Sequence, residues 1–209
     1  MRRRVVSAAM LALLSATAVQ AQRVDVIASA VAVTNSEITG ARQARGLGVM
    51  GGVGLTRGRL RVEARALTAS LQADFSVQPD YALHQLELNV TYLWRPGVGF
   101  ELGGGRRFVA PDFAAQDVGV IRVGAVTETS LSSLARIEGR VAYLPLTAFS
   151  GGGDSGAAVE LGLGLRLGQV DRPWAGVVGF SYQRLDRTVD GASAPVRFSV
   201  GHVGIGRRL

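Results

Sequence analysis

The chain contains no cysteine and no lysine. The first absence excludes disulfide scaffolds, thiolate metal centres, cysteine nucleophiles and lipid attachment through sulfur. Charge is also scarce: 19% of the 209 residues are Asp, Glu or Arg, against about 25% in an ordinary soluble domain. Aromatic residues make up only 6%. Beyond the N-terminal residues, no uninterrupted apolar run reaches the ~20 residues of a spanning helix. The chain is nevertheless 47% hydrophobic, too apolar for disorder. What abounds is glycine, at 28 residues, and arginine, which supplies all 23 basic side chains and a formal charge of +7. The length suits one domain.

Part of that charge is an address. Arg2, Arg3 and Arg4 precede an apolar stretch from Val5 to Val19, and Val19-Gln20-Ala21 offers small residues at cleavage positions. This is the pattern of a secretory signal peptide over residues 1–21, leaving a domain of residues 22–209. Without those three arginines the charge falls to about +4, and no nucleic-acid partner is expected.

From residue 23 onward the apolar period is two. In residues 85–94, Leu86, Leu88, Val90, Tyr92 and Trp94 share one face, with Gln85, Glu87, Asn89 and Thr91 on the other. Strict alternation of this length predicts a strand between two environments. The same reading gives ten strands, over 23–33, 44–55, 59–71, 85–94, 98–107, 119–128, 134–146, 157–168, 174–187 and 195–208. Long connections (34–43, 72–80, 110–117, 147–156, 188–194) alternate with short ones (56–58, 95–97, 129–133, 169–173). That rhythm predicts an all-β, up-and-down antiparallel meander; eight strands is the alternative count.

One face is apolar and the other carries charges interspersed with glycine, among them Gly46, Gly48, Gly103, Gly105, Gly162 and Gly164. Glycine weakens a solvated strand face but makes room on the concave side of a small barrel. Aromatics gather toward strand ends: Tyr92, Trp94, Phe100 and Trp174 beside short connections, Tyr81, Phe108, Tyr143 and Phe198 toward long ones. Two such girdles are expected at bilayer interfaces. In the last strand the apolar parity changes from even (Phe198, Val200) to odd (Val203, Ile205), which predicts a bulge near Gly201-His202. The other explanation is that Gly204 and Gly206 relax the facing rule.

On the signal peptide, the paired connection lengths and segments such as QLELNVTYLW (85–94) and AVELGLGLRL (158–167), the chain resembles the bacterial outer-membrane β-barrel superfamily, in the small OmpA/OmpX-like size range. The resemblance covers residues 22–209 and is architectural. It implies a transmembrane barrel in the cell outer membrane, in contact with outer-membrane lipid and lipopolysaccharide. It also implies recognition of the C-terminal strand by the barrel-assembly machinery. Leu209 departs from the usual terminal aromatic residue.

By parity the inward charges are Arg61, Arg65, Arg107, Arg122, Arg136, Arg140 and Arg166 with Glu63, Glu87, Glu101, Glu128, Glu138 and Glu160. Forked arginines meeting long carboxylates across a narrow lumen suit bidentate pairing. The strings Arg61-x-Glu63-x-Arg65 and Arg136-x-Glu138-x-Arg140 repeat the theme. Near-balanced charge favours a largely plugged lumen over a selective channel, which shows one dominant sign. Arg45, Arg106 and Arg184 fall on the outward parity near long connections, as candidates for lipopolysaccharide phosphates. The two histidines, His84 and His202, belong to no nucleophile motif, so neither an enzyme nor a cofactor is expected. Three functions follow, in order. The first is a monomeric barrel with a structural or surface-interaction role. The second is a narrow pore for small solutes, and the third a soluble lipocalin-like carrier.

Overall fold

The computed structural model describes residues 23–37, 42–74, 80–110, 117–169 and 172–209, so the segment read as a signal peptide lies outside the described residues. The strands are β1 (Arg23–Glu37), β2 (Arg42–Arg57), β3 (Leu60–Ala73), β4 (Tyr81–Arg95), β5 (Val98–Ala110), β6 (Val118–Ser130), β7 (Ala135–Phe149), β8 (Asp154–Leu167), β9 (Trp174–Val189), β10 (Ala192–Ser193) and β11 (Val196–Arg208). Each long strand pairs antiparallel with its chain neighbours. Pairing of β11 with β1 and of β9 with both β8 and β11 closes the sheet. The two-residue β10 only folds back on the end of β9. The barrel therefore has the ten strands that the alternation predicts, and closure leaves no unpaired edge to meet lipid.

The strands run 13 to 16 residues, beyond the span expected from the sequence. The long connections shrink accordingly, to 38–41, 74–80, 111–117, 150–153 and 190–195. The ends excluded from the strand readings, such as Thr34–Glu37 and Thr147–Phe149, lack clean alternation yet complete the ladders. Hydrogen bonding to a neighbour, rather than a one-sided pattern, decides their state.

The expected bulge at Gly201-His202 is absent. Register between β1 and β11 is unbroken from Asp25↔Arg208 to Glu37↔Val196. Even-numbered β11 residues face inward throughout. Phe198 and Val200 are buried in the barrel interior, whereas Val203 and Ile205 point outward and are exposed. What changes along the strand is the side that is apolar, not the register. Irregularities occur instead at Leu93/Arg95, at Ile121/Val123 opposite Pro145, and at Ser155/Ala158. A proline that cannot donate to a ladder is at home in such a break.

That change of side divides the whole molecule. Over the half near the short turns, the outward face is an apolar belt that includes Val90, Leu102, Val141, Leu163 and Ile205, and Leu47, Leu86 and Ile121 carry it past the strand midpoints, all exposed. Trp94, Phe100 and Trp174 edge it at the turn end, and Tyr143 and Phe180 lie toward its other margin. Over the half near the longer connections, the outward face turns polar: Gln72, Arg45, Arg106, Arg184, Thr188 and Arg197 are exposed. A bilayer needs about 9–11 residues of a tilted strand, so strands of this length leave residues to spare at the loop end. Two expected girdle members are misplaced: Tyr81 and Phe198 lie inside, 4% and 2% exposed. They belong to the loop-side half, where the core is internal.

Candidate functional site

The barrel encloses a lumen whose two ends differ in chemistry. At the loop end it is filled by apolar side chains. One cluster joins Val31, Val33, Leu67, Leu71, Leu83, Val109, Phe198 and Val200. A second joins Val118, Leu144, Phe149, Ala158, Leu185 and Val196. Leu83 and Leu185 are fully buried. Arg187 lies at this end: its guanidinium donates to the carbonyls of Gly152 and Gly151 at 2.9 and 3.3 Å and lies over the Phe149 ring.

Toward the turn end, the thirteen lumen charges named from parity all face inward, and they fall into connected groups. Arg122, at 0% side-chain exposure, is the deepest. It donates to Glu160 at 2.6 Å, to Glu87 at 3.2 Å and to the Asn89 side-chain oxygen at 2.8 Å. Glu63 receives Arg65 at 2.8 Å and lies 3.5 Å from Arg140, which also reaches Glu101 at 3.2 Å and Glu138 at 3.7 Å. Arg61 joins Glu138 at 3.3 Å and Glu128 at 3.8 Å, and Arg136 joins Glu128 at 2.6 Å. Carboxylates from β3, β4, β5, β6, β7 and β8 thus meet arginines from β3, β6 and β7.

Arg107 joins that web only through glutamines, which donate to Glu87 and Glu160, and Arg166 lies outside it. Arg107 bonds two glutamines, Gln183 at 2.7 Å and Gln85 at 3.1 Å, and stacks over Phe198 at 3.5 Å. It sits where charge gives way to the apolar core. Arg166 pairs with Asp25 at 3.1 Å. Parity puts Gln85 and Asn89 on the charged face of residues 85–94, but nothing in the sequence marks them, Asp25 or Gln183 as partners of these arginines. Their inward parity was the available signal.

Between these walls lies a cavity of about 550 Å³. Thr56, Pro96, Gly97 and Ser130 line its mouth at the turn end, while Met50, Leu67, Phe198 and Val200 line its deep end. The space exists because β2, β8, β9 and β11 present small residues where β3 to β7 present long charged ones. The glycines are not alike in this respect. A Cβ at Gly46 would collide with the Ser70 carbonyl, so strand approach requires glycine there, whereas a Cβ at Gly164 would make only ordinary contact with Glu138.

Of the outward arginines, Arg45 bonds Asp74 and Arg184 bonds Asp186, both at 2.9 Å. Arg184 and Arg197 are register partners across β9 and β11. Arg106 stands on β5, away from both, and is not brought together with them. His84 receives or donates a 3.0 Å hydrogen bond with Thr68 and stacks on Phe108. His202 lines the lumen cavity.

No family model and no curated protein matches the sequence. Solved structures do match. The outer-membrane protease OmpT from Escherichia coli aligns at a TM-score of 0.55 with 11% identity, over 90% of this chain and 97% of that one. The translocator domain of the autotransporter NalP from Neisseria meningitidis aligns at 0.53 with 14% identity, over 97% and 96%. Neisserial surface protein A aligns at 0.43 with 16% identity, over 88% and 96%. Identities this low speak to fold alone. Ten closed antiparallel strands and the likenesses to OmpT and to the NalP translocator domain agree on the fold: the chain is a closed, up-and-down antiparallel β-barrel, the fold of those outer-membrane proteins.

Proposed function

We propose that the protein is a small integral outer-membrane barrel whose lumen is closed and whose role is structural or surface-interacting. The observation that carries this reading is the apolar filling of the loop-side half, where Leu83 and Leu185 leave no exposed surface. Ions do not cross a dry hydrocarbon-lined constriction. The charged half supports the same reading, because its carboxylates are held by arginines rather than arrayed with one sign. In planar lipid bilayers the purified barrel is expected to give no stepwise conductance. Shaving the constriction with Leu71→Ala, Leu144→Ala and Phe198→Ala together introduces steps. Reproducible steps in the unaltered protein, changed by Glu63→Gln or Arg136→Gln, would overturn closure and favour a narrow pore. The cavity at the turn end is the feature on which the pore reading rests.

A soluble carrier is disfavoured by the exposed belt of Leu47, Leu86, Leu102 and Leu163, which in water would be an aggregation surface. The loop-side outer wall has its own partner in this reading. Arg184 and Arg197 stand side by side, and Arg45 follows on β2 beyond the Thr34 and Ser36 hydroxyls of β1. Such forks suit the phosphates of lipopolysaccharide. Arg106 would act alone, on the opposite wall. Replacing Arg45, Arg184 and Arg197 by Gln lowers lipopolysaccharide co-purification; an unchanged yield removes the partner.

A further inference from the structure

The outer surface treats its arginines differently at the two ends of the barrel. At the loop end Arg45 has Asp74 beside it and Arg184 has Asp186. The outer rim at the turn end carries Arg57, Arg59, Arg95, Arg172 and Arg207, all exposed. Among the described residues none of these five has a carboxylate partner. Arg95 and Arg207 lie over Trp94 and Trp174, and Arg172 bonds Gln169. The acids near that rim, Asp25, Glu128 and Glu138, face inward and are held by lumen arginines, while Asp171 lies outside the described residues. Three of the rim arginines share one corner. Arg57 and Arg59 flank Gly58, whose φ of 58° lets the chain reverse in two residues. The Arg59 carbonyl accepts the Leu93 N–H at 2.7 Å, which seats this hairpin against the end of β4, two residues before Arg95. Leu60, Tyr92 and Phe100 stand in register across β3, β4 and β5 on the outer face beside it, all exposed. The Trp94 ring lies 6.4 Å from that of Phe100. Three unmatched guanidiniums thus border a shelf of aromatic and apolar side chains.

We propose that this corner binds an anionic phospholipid of the leaflet at the turn end, the periplasmic side in barrels of this type. The phosphate would accept charge-assisted hydrogen bonds from Arg57, Arg59 and Arg95. The glycerol would lie beside Trp94, whose ring has an apolar body and a polar N–H suited to an interface. One acyl chain would follow the shelf over Leu60 and Phe100. Charge selects the occupant. A zwitterionic lipid brings its own cation to the phosphate, and so gains less from three unmatched arginines than a lipid with net negative charge. The proposal rests on the membrane-spanning reading, but not on closure of the lumen or on lipopolysaccharide at the loop end.

The chain has two tryptophans, Trp94 in this corner and Trp174 elsewhere on the rim, and brominated phospholipids quench tryptophan on contact. In liposomes a Trp174→Phe protein therefore reports on this corner alone. Brominated phosphatidylglycerol is expected to quench it with an apparent affinity about fivefold or more above that of brominated phosphatidylcholine, and added salt reduces the preference. Arg57→Gln, Arg59→Gln and Arg95→Gln together remove it. These changes break no ion pair and keep the Arg59 carbonyl, so the barrel stays folded, as heat-modifiable gel mobility verifies. A Trp94→Phe protein, read through Trp174, is unmoved by the same three changes. Equal quenching by the two lipids, a preference that survives the triple change, or a triple change that weakens both reporters alike would overturn the proposal. Quenching of neither tryptophan by either lipid would refute the membrane-spanning reading itself, and the proposal with it.

Discussion

The two halves of the lumen solve one problem in opposite ways. Toward the loops the barrel is an ordinary globular interior, with leucine, valine and phenylalanine inside and polar residues outside. Toward the turns it is inside out, with Arg–Glu pairs inside and hydrocarbon outside. The difference follows from the surrounding solvent. In the proposed outer-membrane setting lipid bathes the turn-side wall, so burying apolar side chains in the lumen brings no gain over leaving them in oil, and the interior is free to be polar. Where water bathes the wall, the hydrophobic effect again drives apolar groups inward. The boundary is legible at Arg107, which spends its hydrogen bonds on glutamines and its flat face on Phe198.

The sharpest challenge to this comparison is Arg122→Met. It leaves Glu87 and Glu160 without the cation that holds them, and a broken buried pair costs about 3–5 kcal/mol. Urea unfolding of the barrel in lipid measures it, and Arg122→Met with Glu87→Gln and Glu160→Gln recovers much of the loss. A cost near zero for the single change would mean that water fills the charged half. Leu83→Ala and Leu185→Ala probe the other half. Each is expected to cost about 2–5 kcal/mol by the same assay, with no rescue from changes in the charge web. A matched pair of outward changes tests the belt. Leu88→Arg destabilises by about 2–4 kcal/mol if it lies at mid-membrane depth, while Thr188→Arg, beyond the belt, costs at most about 1 kcal/mol. Equal effects would place the membrane over the whole barrel height. The smallest effect belongs to Arg45→Gln, which breaks only an exposed bridge to Asp74 and leaves the unfolding midpoint unchanged.

Much of this was readable before any coordinates. Residues 85–94 and 158–167 alternate cleanly because both of their faces meet sharply different surroundings, lipid outside and charged lumen inside. The inward position of all thirteen lumen charges follows from that parity. The loop-side ends were harder. Residues 34–37 and 147–149 mix polar and apolar types, and their ladders depend on what their neighbours do. The reading of β11 shows the same limit. The parity change between Phe198 and Ile205 predicts either a bulge or relaxed facing at Gly204 and Gly206, whereas the register is unbroken and the environment inverts between them.

Pairwise partners were out of reach altogether. Arg122 and Glu160 are 38 residues apart and Arg107 and Gln183 are 76 apart, and only closure of the barrel sets the distances between them. The sequence by itself determined the all-β meander, the face on which each charge lies and the outward apolar belt, because these depend on a two-residue period and local turn chemistry; closure decided for ten strands over eight. Tertiary structure alone decided where the lumen is filled and where it is hollow, which acids meet which arginines, and that Arg23, Arg166 and Arg208 converge on Asp25. Those properties arise from the curvature that brings β1, β7, β8 and β11 to one rim, and no local period records it.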